Sequence, residues 1–360
     1  MGLKNMSKNT KNNFVTYAIV VVAFLVIELL TFSGVLSNSL EGQLVPICTY
    51  VILAVSLNLT VGILGELSLG HAGFMSIGAF SGAMFTILMQ DIIPIAWLRF
   101  LLALVIGGLM AGIFGILIGI PVLRLRGDYL EIVTLAFGEI IKNLLNSIYL
   151  GIDNAGWHFS MTDATALNMD ADGLLLINGA QGITGTPRDA NFIWGFLLVM
   201  FTLFIVLNLI HSRTGRAIMA IRDNRIAAES VGVNVTKYKM IAFSLSAMLA
   251  GIAGVLYAHN YSSLVARKFD YNTSILILVF VVLGGIGNIR GSIIAATILT
   301  VLPELLRSLN DYRMLIYAVV LIAIMLFNQS EKGKEWRLNL KTRLPQLFKF
   351  SKKKTNAEEE

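Results

Sequence analysis

The 360-residue chain is poor in cysteine, in histidine and in the motifs that carry catalytic chemistry. Its single cysteine, Cys48, excludes a disulfide framework or a thiolate metal cluster formed within one chain. The four histidines fit no metal-ligand spacing. The sequence contains neither a G-x-x-x-x-G-K-[ST] phosphate loop nor a G-x-S-x-G nucleophile elbow. We therefore expect no metal site, no bound cofactor and no catalytic residue in this chain, and it is not expected to be an enzyme.

Charge is also scarce, at 14% of the residues, whereas hydrophobic residues make up 56% and the mean hydropathy is +0.74. Soluble domains carry more charge and fewer apolar residues. The apolar residues fall in runs that approach the roughly 20 residues needed to cross a bilayer core. These runs have neither the regular arginines of a voltage sensor nor a T-V-G-Y-G filter. The composition predicts an all-α, polytopic membrane protein with a role in passage or binding.

About ten transmembrane helices are predicted. They cover residues 14–33, 44–62, 71–90, 98–123, 128–150, 191–211, 239–258, 273–288, 291–309 and 312–328. Lysine and arginine concentrate in the segments that an inside N-terminus places in the cytoplasm, so the positive-inside rule predicts that both termini are cytoplasmic. The net charge of +6 follows this placement and lacks interleaved aromatic residues, which argues against nucleic acid as a partner. The first run is long for a signal peptide and is expected to remain as a span.

The predicted organisation has three parts. Residues 1–13 form a cytoplasmic N-terminus, residues 14–328 the transmembrane domain, and residues 329–360 a basic, disordered cytoplasmic tail. Two long connections interrupt the spans: an external loop at about 151–190 and a cytoplasmic, amphipathic loop at about 212–238. In the second loop, Thr214 can cap a helix that starts at Gly215.

The stretch between Gly65 and Phe80 reads G-E-L-S-L-G-H-A-G-F-M-S-I-G-A-F. Its glycines permit a broken helix, which is tolerated within a membrane only where protein or a water-filled cavity surrounds the freed backbone groups. The glycines serve either close packing, with Ser68 and His71 satisfied by neighbouring backbone, or a hinge or gate on a transport pathway. Small residues elsewhere, at Gly115 and Ala247 for example, indicate close helix contacts.

The span at 128–150 is the most polar. Glu139 and Lys142 lie three residues apart and can pair on one helix face. Ionisable residues within a span face each other or a cavity, so the two alternatives are a structural pair and a pathway lining. Together with the glycine-rich stretch, this span supplies the candidate pathway or gate residues: Ser68, Gly70, His71, Thr134, Gly138 and Glu139.

Four separated motifs resemble one family. They are S-L-G-H-A-G-F-M-S-I-G-A-F at 68–80, L-R-L-R-G-D-Y-L-E-I-V-T-L-A-F-G-E-I at 123–140, G-R-A-I-M-A-I-R-D-N-R-I-A-A-E-S-V-G-V-N-V-T-K-Y-K at 215–239 and V-V-L-G-G-I-G-N-I-R-G at 281–291. In order and spacing they resemble the second, M-type permease subunit of the high-affinity branched-chain amino acid ABC importers. Ser292 stands where that family often has proline, and the segment at 157–178 lies outside the family pattern.

The resemblance implies an ABC importer permease fold in the bacterial cytoplasmic (inner) membrane. It implies three kinds of partner besides the lipid bilayer: a homologous second permease subunit, two ATP-binding cassette subunits that carry ATP and Mg, and an extracytoplasmic solute-binding protein. The substrates would be leucine, isoleucine and valine. By the same resemblance the cytoplasmic loop couples the chain to the ATPase, and the coupling residues are Gly215, Arg216, Arg222, Asn224, Ala227, Ala228 and Gly232. Two alternatives remain: a permease for urea, short amides or another small solute, and a stand-alone secondary transporter.

Overall fold

A computed structural model describes residues 8–35, 37–125, 127–170 and 173–307, together with single positions between 312 and 326. The chain divides into two compact units, Met1–Val301 and Leu302–Glu360. In the second unit, Arg307 donates a hydrogen bond to the carboxylate of Glu304 at 3.1 Å. The predicted crossing at 312–328 lies largely outside the described residues, and the predicted tail at 329–360 lies wholly outside them.

The described part of the chain is mainly helical. Its α-helices are α1 (Lys8–Phe32), α2 (Asn38–Glu41), α3 (Leu44–Asn58), α4 (His71–Leu88), α5 (Ala96–Val122), α6 (Asp128–Ser147), α7 (Phe192–His211), α8 (Arg213–Asp223), α9 (Arg225–Ser230), α10 (Val235–Ala258), α11 (Tyr271–Gly284) and α12 (Ile289–Leu305). A π-helical segment, Leu59–Leu64, continues α3, and single 3₁₀ turns occur at Thr165–Leu167, Gly179–Gln181 and Ala266–Lys268.

Among the residues that the structure describes, six helical stretches are long and apolar enough to cross a membrane. They are Asn13–Phe32, Asn38–Leu64, His71–Leu88, Ala96–Val122, Phe192–His211 and Val235–Ala258. Helix α11 has 14 residues and α12 has 17, both shorter than the usual span. The chain is therefore a multi-pass membrane protein, while the number of ten crossings and the cytoplasmic placement of both termini stay predictions.

The segment after α6 contains strands, so the prediction of an all-α protein is wrong here. Strands β1 (Tyr149–Asp153), β2 (Gly156–Ser160) and β3 (Leu174–Asn178) form an antiparallel sheet in the order β2-β1-β3. Strands β4 (Ile183–Thr184) and β5 (Ser263–Leu264) form a second, two-stranded sheet. The helix predicted at 128–150 therefore ends at Ser147, because Ile148 adopts an extended backbone and leads directly into β1.

Helices α4, α5 and α10 form the centre of the first unit through close contacts at small residues. A Cβ added at Gly115 of α5 would lie 2.7 Å from the Cβ of Ala247 of α10. A Cβ at Gly78 of α4 would clash with the backbone of Gly251, and one at Gly254 would clash with the carbonyl of Met75. In lipid, where hydrophobicity does not drive helices together, such contacts gain dispersion energy from close approach. The small-residue faces thus pack spans of this chain against one another.

Candidate functional site: the break between α3 and α4

The helix that begins as α3 is broken before α4 starts. The π-helical segment ends at Gly65, whose φ of +79° lies in the left-handed region that favours glycine. Residues 66–70 are not helical, and α4 begins at His71. The prediction of a broken helix in this stretch is therefore confirmed. We call residues 59–70 the break, and the end of the molecule that carries it the break end.

Side chains from distant segments satisfy the backbone groups at the break. The Arg222 guanidinium donates a hydrogen bond to the carbonyl of Gly62 at 2.9 Å. The amide of Leu69 donates to Oγ1 of Thr134 at 3.1 Å. The amide of Ala72, just beyond the break, donates to Oγ of Ser274 at 3.1 Å. Protein side chains thus satisfy these three backbone groups at and beside the break, as freed backbone groups in a membrane protein require.

The turn between α11 and α12 also reaches the break. The carboxamide oxygen of Asn58 accepts a hydrogen bond from the amide of Gly287 at 2.8 Å. The Asn58 amide group in turn donates to Oγ of Ser292 at 2.8 Å. A Cβ added at Gly62 would clash with both Asn58 Oδ1 and the Gly287 amide nitrogen. Glycine at position 62 therefore lets the α11–α12 turn lie against the broken helix.

Three of the predicted pathway residues meet where α6 packs on the break. A Cβ added at Gly70 would clash with the backbone carbonyl of Thr134. The same face of α6 carries Gly138, and a Cβ added there would lie 3.6 Å from the Cα of Gly70. Thr134 is fully buried, and its hydroxyl also donates to the carbonyl of Glu131 at 2.9 Å. Gly70, Thr134 and Gly138 thus form a tight helix contact.

His71 and Ser68 differ in their surroundings although both are buried. Nε2 of His71 lies 2.8 Å from Oγ of Ser56 on α3, so a hydrogen bond closes the break from α4 back to α3. The hydroxyl of Ser68 has no hydrogen-bond partner among the described residues. A buried polar atom without a partner is costly and in a native protein calls for an explanation.

Glu139 lies apart from the break. Its carboxylate pairs with Lys142, as predicted from their spacing, and its other oxygen accepts a hydrogen bond from the amide of Tyr271 at 3.0 Å. Glu139 thereby joins α6 to the first residue of α11. This geometry favours the structural alternative for the pair.

A buried ion pair that sequence reasoning missed joins the break to α10. The ammonium group of Lys239 contacts the carboxylate of Glu66, and Lys239 is only 4% exposed. A buried charge of this kind is stable only when it is paired. The two residues are 173 positions apart in the chain, so no local pattern indicated the contact.

The predicted coupling loop consists of two helices. Ser212 caps α8, because its hydroxyl accepts a hydrogen bond from the amide of Gly215 at 3.0 Å. The predicted cap at Thr214 and helix start at Gly215 are therefore wrong by two residues. Asn224 ends α8 and caps α9 by accepting from the amide of Ala227 at 3.0 Å.

The inner face of α8 and α9 packs against the rest of the protein. Ile218 of α8 belongs to a buried cluster with Leu59 and Ile63 of the break. Ala228 of α9 packs in a second cluster with Ile221 and Val235. The π-helical segment and α8 therefore share one apolar cluster, and α8, α9 and the start of α10 share a second.

The outer face of the two helices is open. Ile226 is 80% exposed and Val231 is 78% exposed, which leaves two apolar side chains on the surface of a basic loop. Arg216 is also exposed, and it donates a hydrogen bond to the carbonyl of His211 at 3.2 Å. Gly232 has a φ of +83° and no atom within 4 Å of an added Cβ, so it reverses the chain after α9 without close packing.

A cavity of about 310 Å³ lies between the break and α8–α9. Its lining contains four charged residues: Glu66, Arg222, Arg225 and Lys239. Each of the three basic side chains already has a carboxylate partner. Arg222 pairs with Asp223 at 2.9 Å, Arg225 pairs with Glu229 at 3.0 Å, and Lys239 pairs with Glu66. None of the six predicted pathway residues lines this cavity. Among the residues that the structure describes, no group of three or more His, Cys, Asp or Glu is placed to hold a metal ion.

The opposite end, which carries the sheets, has its own buried polar contacts. Arg99 of α5 pairs with Asp189 at 3.3 Å, ahead of α7. Nε2 of His259, at the end of α10, lies 2.8 Å from Oγ1 of Thr86 on α4. We call this the sheet end. These contacts join α5 to the segment before α7, and the end of α10 to α4, and sequence reasoning did not predict either of them.

The four motifs agree with a comparison against protein families. The profile of the family described as "Branched-chain amino acid transport system / permease component" matches residues 39–325. The chain belongs to this permease family. The match includes the break, α8–α9 and the α11–α12 turn, so the contacts described above lie within the family region of the permease.

Curated relatives agree. The permease is 36% identical over 293 residues to the high-affinity branched-chain amino acid transport system permease protein LivM of Escherichia coli (strain K12), covering 77% of this chain and 66% of that protein. The LivM protein of Salmonella typhimurium (strain LT2) is 36% identical over 287 residues, with the same coverage. The match thus spans slightly less than two thirds of these relatives. The ribose import permease protein RbsC of E. coli is 31% identical over 148 residues, covering 39% of this chain and 46% of that protein. No solved structure matches the chain significantly.

Proposed function

We propose that this chain is the membrane-spanning permease subunit of an ATP-driven ABC importer that translocates leucine, isoleucine and valine. The family and the LivM relatives support the substrate class. The observation that carries the mechanism is the hydrogen bond from Arg222, in the loop proposed to couple to the ATPase, to Gly62 in the break. The loop and the break are therefore in direct contact.

The proposed placement is the bacterial cytoplasmic membrane, with about ten crossings, both termini in the cytoplasm and the break end facing the cytoplasm. The concentration of lysine and arginine in the segments around α8–α9 supports this orientation. The sheet end then faces outward, and the external loop at 151–190 contains β1 to β4.

The proposed partners are a homologous second permease, two ATP-binding cassette subunits and an external solute-binding protein. Exposed Ile226 and Val231 give α8–α9 an apolar outer surface for an ATPase subunit. ATP and Mg bind on those subunits, and this chain carries no cofactor of its own. The proposed coupling residues are Gly215, Arg216, Arg222, Asn224, Ala227, Ala228 and Gly232.

In this mechanism, movement of α8–α9 by the ATPase displaces the break. Arg222 transmits the movement to Gly62, and the apolar cluster around Ile218 keeps α8 fixed to the π-helical segment. Gly65, with its left-handed backbone, is the hinge. Opening of the break separates Gly70 from Thr134 and exposes Ser68, whose unpartnered hydroxyl becomes available to the passing solute.

The test is reconstitution in liposomes. The chain, its co-purifying permease and ATPase subunits and the binding protein are expected to take up radiolabelled leucine only with internal ATP. The chain alone is expected to show no uptake under a leucine, proton or sodium gradient. Gradient-driven uptake by the chain alone would identify a secondary transporter and overturn the proposal. ATP-driven uptake of urea or an amide in place of leucine would overturn the substrate assignment only.

A further inference from the structure

The three-stranded sheet at the sheet end has one apolar face and one polar face. Ile152 of β1 lies opposite Trp157 of β2 on one side and Leu174 of β3 on the other, and Leu150 lies opposite Phe159. Residues paired in this way project from the same face of a sheet. This apolar face, defined by Leu150, Ile152, Trp157, Phe159 and Leu174, contains no charged residue.

The chain itself covers the other face. Asp153 of β1 accepts hydrogen bonds from His158 of β2 at 2.9 Å and from the amide of Asp170 at 3.2 Å. Met169, in the connection between β2 and β3, lies against Gly151, where an added Cβ would clash with its sulfur. The polar face is therefore closed by a segment of the same loop, and its carboxylate is satisfied.

The apolar face is left uncovered. Trp157 is 59% exposed, Phe159 is 58% exposed and Leu174 is 45% exposed. Met161, directly after β2, is also exposed. A contiguous apolar patch of this kind marks an interaction surface in a soluble segment.

The patch is continuous with the surface of the membrane helices. Ile177 of β3, which pairs with Leu150, lines an apolar hollow of about 410 Å³ that α4, α5 and α6 also line. Two other tryptophans lie at the same end: Trp97 is exposed in the first turn of α5, and Trp194 lies in the first turn of α7. Tryptophan at the ends of spans is typical of the membrane–water interface.

We propose that the apolar face of the β1–β3 sheet lies in the interfacial layer of the bilayer, against phospholipid. An amphipathic element with one uncharged aromatic face and one satisfied polar face suits that layer, as an interfacial helix does. The sheet then works as an anchor that holds the loop between α6 and α7 flat on the membrane. The inference requires a membrane protein and is independent of the transported solute.

The proposal is tested by tryptophan fluorescence in lipid nanodiscs. The variant used carries Trp97→Phe, Trp194→Phe and Trp336→Phe, so that Trp157 is its only tryptophan. Phospholipid brominated at a shallow acyl position is expected to quench most of the Trp157 emission, and aqueous iodide to quench little of it. The companion variant that retains only Trp97 is the reference for an interfacial tryptophan.

A second pair of variants separates position from folding. Phe159→Asp adds a charge to the apolar face and is expected to reduce quenching of Trp157 by brominated lipid. Asn154→Asp adds the same charge at the exposed β1–β2 turn and is expected to leave quenching unchanged. Strong quenching of the Trp157 emission by iodide, without quenching by brominated lipid, would overturn the proposal. Lipid quenching that disappears when the second permease or the binding protein is added would overturn it in favour of a protein interface.

Discussion

At the scale of single residues, Gly62 shows how the break depends on side-chain size. The carbonyl of this residue accepts the Arg222 hydrogen bond, and its Cα faces Asn58 and Gly287. No positive φ requires glycine here; the requirement is space. A methyl group added at this position would push the broken helix away from the α11–α12 turn.

Gly62→Ala is expected to destabilise the protein by about 1–3 kcal/mol, the usual cost of overpacking a close contact. The free energy of unfolding in an SDS titration measures it. Gly112→Ala in α5 is the matched control, because its added Cβ would lie 3.5 Å from Met248, an ordinary contact. The control gains about 0.8–1 kcal/mol of helix propensity. Equal effects of the two substitutions would contradict the packing described here.

Lys239→Met leaves the Glu66 carboxylate without its partner and is expected to destabilise the protein by roughly 3 kcal/mol. The double variant Glu66→Gln, Lys239→Met removes both charges and is expected to recover most of that loss. The same SDS titration compares them. A double variant no more stable than Lys239→Met would show that the pair is not coupled.

Local features of the site could be predicted from the sequence where a single local rule applies. The spacing of Glu139 and Lys142 indicated their pairing, and the glycines around Gly65 indicated a break. Ser212 and Thr214 are both good caps, and local sequence does not decide between them; the backbone of Ser212 is extended, and its hydroxyl reaches Gly215. Contacts such as that between Asn58 and Gly287 depend on tertiary packing, so the sequence could not predict them.

At the scale of elements, α8 and α9 show why a continuous helical pattern was misleading. The apolar spacing from Ile218 to Ala228 fits one helix, but Asn224 adopts an extended backbone and its side chain caps a new helix. The strands were missed for a related reason. The five-residue strands β1 and β2 are separated by two residues, and β1 directly follows α6, whose helical pattern in the sequence extends to residue 150.

The β1–β2 pair is expected to lose order in acid. Desolvation raises the pKa of Asp153, but hydrogen bonds from the amide of Asp170, the ring of His158 and the amide of Ala155 outweigh it and lower the pKa below 3.8. A carboxyl whose pKa is lower in the folded state stabilises that state fully above its unfolded pKa. The contribution is then lost as the pH falls through the folded value.

Amide hydrogen exchange, corrected for the intrinsic rate at each pH, measures this effect. Protection of β1 and β2 is expected to hold from neutral pH down to 3.8 and to fall below it. Asp153→Asn is expected to lower protection at neutral pH and to remove the dependence. Asp91→Asn, at an exposed position outside the sheet, is the control. An unchanged profile in Asp153→Asn would contradict the assignment.

At the scale of the whole molecule, segments far apart in the sequence meet at the break. Residues 58–70, the α8–α9 loop and the α11–α12 turn are joined by Arg222 to Gly62 and by Asn58 to Gly287 and Ser292. Composition was enough to predict a multi-pass membrane protein, because long apolar runs have few other uses. It was not enough to predict the number of crossings, since short helices such as α11 depend on their neighbours for burial.

The central claim is that the α8–α9 loop acts on the break. The most direct test measures, in the reconstituted importer, the number of leucine molecules taken up per ATP hydrolysed. Arg222→Gln removes the guanidinium bond to Gly62, a charged hydrogen bond worth about 1.5–3 kcal/mol, so uptake per ATP is expected to fall about tenfold while ATP hydrolysis continues. Arg213→Gln removes one charge from the exposed first residue of the same helix and is expected to keep the normal ratio. An Arg222→Gln importer with the normal ratio would contradict the claim.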